Sequence, residues 1–281
     1  MRIIKKIDDL KKELFSLMGK KIGLVPTMGY LHDGHLSLID QSIKENDISV
    51  VSIFVNPSQF GQNEDFNSYP RDMERDSELL EERGVDILFS PDSREMYPEN
   101  YSTFVEVEKL SKVLCGRSRP THFSGVCTVV LKLFNIVKPE NVYFGAKDAQ
   151  QAIIIKRMKE DLNLDISVKV MPIVRDEDGL ALSSRNKYLS KKEREAALLM
   201  PETLKEANML INNGLFEANK IKEKIVRELN KNKSIKIDYV EIVNLKTLES
   251  LDKIDNNNTL VAVAIKVGKA RLIDNFILGG I

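Results

Sequence analysis

Two histidines three residues apart near the start of the chain offer the clearest chemistry in the sequence. They lie in the stretch Val25-Pro26-Thr27-Met28-Gly29-Tyr30-Leu31-His32-Asp33-Gly34-His35. Because helical residues three apart face the same side, the rings of His32 and His35 would lie together on a first helical turn. The free N–H groups and the positive dipole end of a helix N-terminus bind anions such as phosphate. Two imidazoles placed there can stabilise charge that develops on the phosphate.

The residues alone leave two other interpretations of this pair open. His32 and His35 could be ordinary histidines of a loop and a core. Their spacing also permits a pair of zinc ligands, although a zinc hydrolase would need a third protein ligand close to both rings.

The elements on either side of the pair indicate how it is positioned. The run Lys21-Ile22-Gly23-Leu24-Val25 is typical of a buried parallel strand. The apolar positions 36, 38, 39 and 43 have helical spacing and predict a helix over 35–46. The histidines therefore lie where a strand turns into a helix, and ligands of open parallel sheets bind at that edge.

Polar residues also follow the next predicted strand, 48–55, which is rich in β-branched side chains. Pro57 ends this strand because it has no backbone N–H to donate. Asn56 and Gln59 stand where the carboxyl end of the strand would face a ligand. A plain exit from a strand into a loop would explain the same residues.

A third predicted strand, 141–144, ends in a glycine and a charged pair. Gly145 permits close approach of the backbone, Lys147 can neutralise phosphate, and Asp148 can accept from ribose hydroxyls or lie near magnesium. Gln151 can both donate and accept hydrogen bonds. Taken in isolation, these residues are also typical of the start of a solvated helix.

Two cationic segments have the composition of anion sites. A basic loop ahead of a helix predicted over 125–137 carries two arginines and His122. Farther along, the hydroxyls of Ser183 and Ser184 and the guanidinium of Arg185 suit the oxygens of a triphosphate. A solvated basic loop and a surface turn with a helix cap are the structural alternatives.

The rest of the chain predicts the elements that hold these segments in place. The polar stretch 61–72 shows no periodicity and is typical of a lid loop. The remaining predicted elements are an edge strand and amphipathic helix within 3–18, helices 72–83, 149–161, 190–212 and 217–231, and strands 85–89, 104–107, 166–171, 238–243, 260–266 and 272–276.

Alternating strands and helices predict an α/β fold, a Rossmann-like parallel sheet, in the first part of the chain. After residue 188 the composition shifts to Lys/Glu-rich helices followed by strands of a small antiparallel sheet. We therefore predict an N-terminal domain over 1–174 and a smaller α+β C-terminal lid domain over 175–281.

Composition excludes several other classes of protein. The 281 residues are 42% hydrophobic, and 42 basic side chains balance 42 acidic ones. A net charge of zero provides no field to recruit nucleic acid or an anionic membrane. No segment approaches the roughly 20 apolar residues of a membrane helix, and the amino terminus has no signal-peptide core. The two cysteines, Cys115 and Cys127, predict a reducing, cytoplasmic location and no disulfide scaffold.

Taken together, the motifs resemble a known family. His-x-Gly-His is the signature of a superfamily of adenylate-forming nucleotidyltransferases, and Pro-Thr-Met-Gly-x-Leu-His-x-Gly-His is the form found in the pantothenate synthetase family. Val-Asn-Pro-x-Gln-Phe, Arg-x-x-His-Phe-x-Gly-Val, Lys-Asp-x-Gln-Gln and Ser-Ser-Arg-Asn follow in the order of that family and cover roughly residues 22–190. Tyr30 and Ala149 depart from its usual residues, both at variable positions.

The resemblance implies a ligase that joins pantoate to β-alanine. Pantoate would attack the α-phosphorus of ATP and release pyrophosphate, and the amine of β-alanine would then attack the pantoyl adenylate and release AMP. Mg²⁺ would arrive with ATP and take few protein ligands, so no metal-ligand set is assigned. The implied partners are these three small molecules and a second copy of the chain in a homodimer, with neither nucleic acid nor membrane.

The resemblance also implies roles for individual residues. The implied catalytic residues are His32, His35, Lys147, Ser183, Ser184 and Arg185, with a proton-donor role for His35 that charge stabilisation would explain equally well. The implied ATP-binding residues are Met28, Gly29, Tyr30, Leu31, His32, Asp33, Gly34, His35, Gly145, Ala146, Lys147, Asp148, Val174, Leu182, Ser183, Ser184 and Arg185. The implied pantoate-binding residues are Asn56, Gln59, His122 and Gln151.

Three further functions stay as alternatives. A related nucleotidyltransferase would keep His32 and His35 but has no need of Gln59 and Gln151 together. A class I aminoacyl-tRNA synthetase would need an RNA-binding surface, which the neutral charge balance disfavours. A non-enzymatic nucleotide-binding protein would tolerate the loss of His35.

Overall fold

A computed structural model of the chain describes residues 1–62 and 64–280. Within these residues, nine strands form two sheets and ten α-helices surround them. The strands are β1 Arg2–Ile4, β2 Ile22–Thr27, β3 Ile48–Ile53, β4 Ile87–Phe89, β5 Asn141–Gly145, β6 Ser167–Met171, β7 Ile235–Asn244, β8 Asn258–Val267 and β9 Ala270–Gly279. The helices are α1 Ile7–Ser16, α2 Asp33–Glu45, α3 Met73–Glu82, α4 Ser93–Met96, α5 Cys115–Ser118, α6 His122–Val137, α7 Ala149–Asp161, α8 Lys191–Ala197, α9 Leu199–Asn212 and α10 Ala218–Leu229.

The larger sheet is parallel throughout its described strands, in the order β1-β4-β3-β2-β5-β6. From β2 the chain builds outward to β3 and β4 on one side, and later to β5 and β6 on the other. The direction of winding therefore reverses between β2 and β5, and such a switch point opens a crevice at the carboxyl ends of the strands. The predicted Rossmann-like α/β fold is confirmed.

Alternate residues of the central strands face opposite layers of helices. In β2, Leu24 belongs to the core that α1, α6 and α7 cover, and Val25 to the core that α2 and α3 cover. In β3, Val50 likewise faces the first of these cores and Val51 faces the second. Because both faces of the sheet are buried, these strands are nearly continuous apolar runs, which made them predictable from the sequence.

The smaller sheet is antiparallel, in the order β7-β8-β9. In β8, Val261 and Val263 pack against helices α8 to α10, whereas Leu260 and Ala262 face the core of the larger sheet. This confirms the predicted smaller C-terminal domain, while its boundary between residues 174 and 175 stays a prediction.

Two predicted elements are wrong. Residues 104–107 form no strand, because the N–H of Val105 donates to Thr128 Oγ1 of α6 at 2.9 Å rather than to a neighbouring strand. The single helix predicted over 190–212 is divided into α8 and α9 at Leu198. Pro201 explains this division, because it lacks the N–H that a continuous helix would need at that position.

The polar stretch 61–72 forms turns and bends without a helix or strand in its described residues, 61–62 and 64–72. Asn63 in that stretch and Ile281 at the end of the C-terminal domain lie outside the described residues. In the described ranges, no helix is both long enough and apolar enough to cross a lipid bilayer.

Candidate functional site

The carboxyl ends of β2, β3 and β5 open into a cleft that encloses about 1330 Å³, part of it at an open mouth. Sixteen of the predicted site residues line it: Met28, His32, Gly34, His35, Asn56, Gln59, His122, Gly145, Lys147, Asp148, Gln151, Val174, Leu182, Ser183, Ser184 and Arg185. Five others do not line it: Gly29, Tyr30, Leu31, Asp33 and Ala146. The side chain of Leu31, for example, is buried in the apolar core instead.

The two histidines of the signature lie against each other at the beginning of α2. His32 is the residue before the first helical turn, and its ring centroid lies 4.0 Å from that of His35. The Nδ1 atoms of both rings are buried and have no hydrogen-bond partner within the described part of the protein. Both rings therefore retain hydrogen-bonding capacity at the wall of the cleft.

Both histidines are held in the neutral form. Burial lowers the pKa of His32 to about 4, and the nearby ammonium of Lys147 adds to the effect. Burial, together with charge on His32 and Lys147, holds the pKa of His35 well below its usual value. A neutral imidazole can still donate one N–H to a phosphate oxygen. In the free protein the two histidines therefore offer hydrogen-bond donors, and they add no positive charge to that of Lys147.

A buried carboxylate on α3 holds the turn ahead of the histidines. Gly29 and Tyr30 have positive φ angles of 80° and 53°, a conformation that is strained for a tyrosine. Asp76, 1% exposed, accepts the N–H of Tyr30 at 2.6 Å and of Leu31 at 2.8 Å. These two hydrogen bonds stabilise the strained turn and so position His32.

Asn56 is occupied by contacts within the protein. Its amide donates to Gln59 Oε1 and to the carbonyl of Gly125, both at 3.1 Å, and its Oδ1 accepts from Tyr97 at 2.8 Å. Gly125 lets α6 approach this closely, because a Cβ there would lie 2.4 Å from the carbonyl oxygen of Ser58. The geometry makes Asn56 a support that orients Gln59, rather than a group that faces the cleft unengaged.

His122 is also engaged on both ring nitrogens. Its Nδ1 lies 2.9 Å from the carbonyl oxygen of Gln59, and its Nε2 lies 3.1 Å from the guanidinium of Arg119. Since a carbonyl only accepts and a guanidinium only donates, Nδ1 carries the proton and Nε2 accepts. Burial and the Arg119 charge lower the pKa of His122 to about 4. Arg119 in turn pairs with Glu64 of the loop.

Two described residues of the stretch 61–72, Asp65 and Tyr69, contact the segment that carries the tandem serines. Arg185 forms a two-pronged ion pair with Asp65, at 2.9 and 3.0 Å. The hydroxyl of Tyr69 lies 3.2 Å from Ser184 Oγ. Ser183 caps the short 3₁₀ helix Ser184–Tyr188 by accepting the N–H of Arg185. The loop therefore contacts the same polar groups that were predicted to hold phosphate.

Helix α6 provides an apolar wall of the cleft, formed by Val126, Val129, Val130 and Leu133. Sequence reasoning missed this wall, since apolar residues at helical spacing are indistinguishable from core positions. It also missed Tyr69, for which no motif gave a signal. Arg119 lay in a segment predicted to bind anions but was not itself assigned to the site.

Among residues 1–62 and 64–280, no group of three or more His, Cys, Asp or Glu side chains is arranged to hold a metal ion. Cys115 and Cys127 are buried, and neither forms a disulfide in the described structure. Asp148 is the predicted magnesium neighbour, and its half-exposed carboxylate lies 3.6 Å from Lys147 Nζ.

Comparison with known proteins gives consistent matches over the whole chain. A family model described as pantoate-beta-alanine ligase matches residues 2–277. Pantothenate synthetases of Pseudothermotoga lettingae and Acetivibrio thermocellus are 59% and 54% identical, covering 100% and 99% of this chain and 100% and 99% of their own lengths.

Solved structures agree with the sequence matches. The pantothenate synthetase of Thermus thermophilus is 42% identical with a TM-score of 0.95, and all of each chain is covered. A pantoate-beta-alanine ligase of Francisella tularensis, complexed with beta-gamma ATP and beta-alanine, is 37% identical with a TM-score of 0.81, covering 99% of this chain and 97% of the other.

Proposed function

This chain belongs to the pantoate-beta-alanine ligase family, and it is an ATP-dependent ligase that condenses pantoate with β-alanine. We propose that both half-reactions take place in the cleft at the carboxyl ends of β2, β3 and β5, through a pantoyl-adenylate intermediate. One observation carries this proposal: residues from five separate motifs, all distant in the sequence, line that single cleft.

Pantoate binds between Gln59 and the apolar wall of α6. Pantoate has a carboxylate, two hydroxyls and a pair of methyl groups, so it needs hydrogen bonds on one side and apolar contact on the other. Gln59 and Gln151 line the cleft and can both donate and accept. The apolar wall takes the two methyl groups. Asn56 and His122 serve this site by fixing the side chain and the carbonyl of Gln59.

The phosphates of ATP lie over the beginning of α2, where His32 and His35 donate N–H groups to them. Attack of the pantoate carboxylate on the α-phosphorus builds negative charge on the phosphate oxygens, and fixed donors stabilise that charge. Lys147 and Arg185, which also line the cleft, supply positive charge, and Ser183 and Ser184 supply hydroxyl donors. Because His35 is neutral in the free protein, we assign it charge stabilisation rather than donation of a proton.

ATP is used with Mg²⁺, and the cleft fits this ion. Mg²⁺ in nucleotide sites takes one or two protein carboxylates, with phosphate oxygens and water as its other ligands. Asp148 supplies one carboxylate at the cleft, half exposed. Bound there with ATP, the ion would neutralise charge on the phosphates. Asp65 is not counted as a second carboxylate for the ion, because it is paired with Arg185 in this structure.

In the second half-reaction, the amine of β-alanine attacks the acyl carbon of the pantoyl adenylate and AMP leaves. A carboxylate is a poor acyl donor, and the adenylate gives it a good leaving group. The Francisella tularensis relative was solved with β-alanine bound, which supports a place for this substrate in the same fold.

The assembly and the location of the protein complete the proposal. We propose a homodimer, which sedimentation at micromolar concentration tests, and a cytoplasmic location. Buried, unpaired Cys115 and Cys127 support a reducing compartment. The division into domains 1–174 and 175–281 is tested by whether mild proteolysis cuts between Met171 and Arg175.

Pyrophosphate release from ATP, measured with and without each substrate, tests the function directly. With Mg²⁺ and pantoate, the wild type should release one equivalent per site, and addition of β-alanine should convert this burst into continuous turnover. Gln59→Ala should raise the KM for pantoate at least tenfold and leave the KM for ATP within twofold. If pantoate has no effect while another acid stimulates release, the substrate assignment is wrong.

A further inference from the structure

Through its last strand, β9, the C-terminal sheet contacts a segment that lines the cleft. Asn275 of β9 donates one amide hydrogen to the carbonyl of Ala146 at 3.0 Å and the other to the carbonyl of Lys147 at 2.9 Å. Both carbonyls belong to the short 3₁₀ helix Ala146–Asp148 that follows β5. We propose that Asn275 is a positioning residue for adenylate formation, which acts by holding Lys147 in place. The inference rests on the role proposed above for Lys147.

The chemistry of this contact requires an asparagine. The two partners are carbonyl oxygens, which accept and never donate, so a short side chain must present two hydrogens to them. The side-chain amide of asparagine has both on one nitrogen, whereas ionised aspartate of the same shape has none. Asn275 is 4% exposed, so water cannot easily replace it. Buried backbone carbonyls left without a donor are costly.

The residue before it in β9 holds a second part of the cleft. Asp274 forms a two-pronged ion pair with Arg175, at 2.7 and 2.9 Å. Arg175 bridges to Ala181 in a short hairpin that leads directly to Ser183. Two consecutive residues of β9 therefore fix the two loops that bring positive charge and hydroxyl groups to the phosphates.

The position of Lys147 matters because it lines the cleft together with His32 and His35. Its ammonium is close enough to both His32 and His35 to disfavour their protonation. A displacement of about 1 Å in a positioned charge can cost about a hundredfold in rate. Asn275 is 128 residues away in the chain, and its bonds end on the backbone of Lys147 itself. Loss of these bonds should displace the ammonium without removing any group that touches substrate.

The test measures pyrophosphate release with pantoate, ATP and Mg²⁺ for a set of variants of the full chain. Asn275→Ala should lower kcat about ten- to hundredfold and leave the KM for pantoate within twofold. Asn275→Ser, which keeps one donor, should show a smaller loss of kcat. It takes the place of the alanine variant if that variant fails to fold. Asn275→Asp, which keeps the shape without the donors, should lose at least as much as the alanine variant. Asn257→Asp is its matched control and should retain full activity, because Asn257 is exposed in the same sheet region.

A double variant separates positioning from general stability. If Asn275 acts through Lys147, adding Asn275→Ala to Lys147→Ala should lower kcat by no more than a further twofold. An equal, additive loss in both backgrounds overturns the inference and leaves the proposed function intact. Full activity of Lys147→Ala overturns both the role proposed for Lys147 and the inference that depends on it.

Discussion

Three neutral, half-buried histidines dominate the chemistry of this protein at the scale of single residues. His32 and His35 lie at the beginning of α2, and His122 lies between Arg119 and the backbone of Gln59. The pKa of each is lowered mainly by burial. Each therefore binds fewer protons in the folded chain than in the unfolded chain at pH values between its folded and its unfolded pKa.

Stability should accordingly fall as the pH is lowered from 7 to 5. A histidine whose pKa is 6.5 unfolded and about 4 folded loses about 2 kcal/mol of stabilisation at pH 5, and none above pH 7. The loss of stability between pH 7 and 5 should be smaller in His122→Asn. The asparagine amide can replace the Nδ1 donor of His122, but it does not titrate. Urea unfolding at several pH values measures both slopes, and equal slopes would refute the assignment.

His35→Asn should lower the rate of pyrophosphate release about 10² to 10³-fold, as loss of one donor to a developing oxyanion does elsewhere. The KM for pantoate should stay within twofold. Lys44→Gln, on the exposed side of the same helix, is the control and should retain full activity.

The pH profile of the same reaction separates the two roles of His35. A neutral His35 predicts that the profile of kcat/KM for ATP between pH 6 and 8 has the same shape in wild type and variant. A decline of the wild type above pH 6.5 that the variant lacks would instead identify a protonated, acid form of His35.

At the scale of elements, strand ends and the first turns of helices carry the site, and neighbouring elements hold them in place. Helix α3 is the clearest example, because Asp76 stabilises the strained turn at Gly29 and Tyr30. Arg75 of the same helix donates to the carbonyl of Leu31 at 3.0 Å. Helix α3 therefore binds both the N–H groups of the turn, through Asp76, and one of its carbonyl groups, through Arg75.

Asp76→Asn should raise the KM for ATP about tenfold or more and leave the KM for pantoate within twofold. The new amide can accept one of the two N–H groups but must turn its own NH₂ towards the other. Asp72→Asn is the matched control, since Asp72 only caps α3 and asparagine caps helices equally well. Equal changes in the two variants would show that α3 as a whole, rather than the Asp76 carboxylate, matters.

At the scale of the whole molecule, the two sheets depend on each other. Asp274 of β9 has no exposed side-chain surface and pairs with Arg175, which leads from the larger sheet into the C-terminal region. Breaking a buried ion pair by removal of one partner costs about 3–5 kcal/mol. The interface between the sheets is thus part of the stability of the fold as well as of the site.

Arg175→Met should lower the melting temperature by about 5 to 10 °C, because it leaves the Asp274 carboxylate buried without its cation. Arg2→Met is the control, since its pair with Glu13 lies at the surface and should contribute little. Calorimetry measures both changes. A shift in Arg175→Met no larger than the control would mean that water or another group solvates Asp274.

The sequence by itself determined the α/β class, most strands and helices, and the segments that meet in the cleft. This was possible because the buried strands are continuous apolar runs and the motifs follow them directly, so local order in the chain maps onto one edge of the sheet. Local patterns failed where a nonlocal contact decided the outcome. Residues 104–107 alternate between apolar and polar side chains as a strand does, yet the N–H of Val105 donates to Thr128 of α6 instead of to a neighbouring strand.

Only the tertiary structure decided how the site residues are held and charged. Asp76 and Asn275 lie outside the motifs, and they are 45 and 128 residues away from their partners Leu31 and Lys147. The neutral state of the histidines depends on burial and on the Lys147 charge, neither of which spacing along the chain encodes. The residue types therefore indicated the kind of reaction. The protonation states and the positions of the site side chains follow instead from the environment that folding creates.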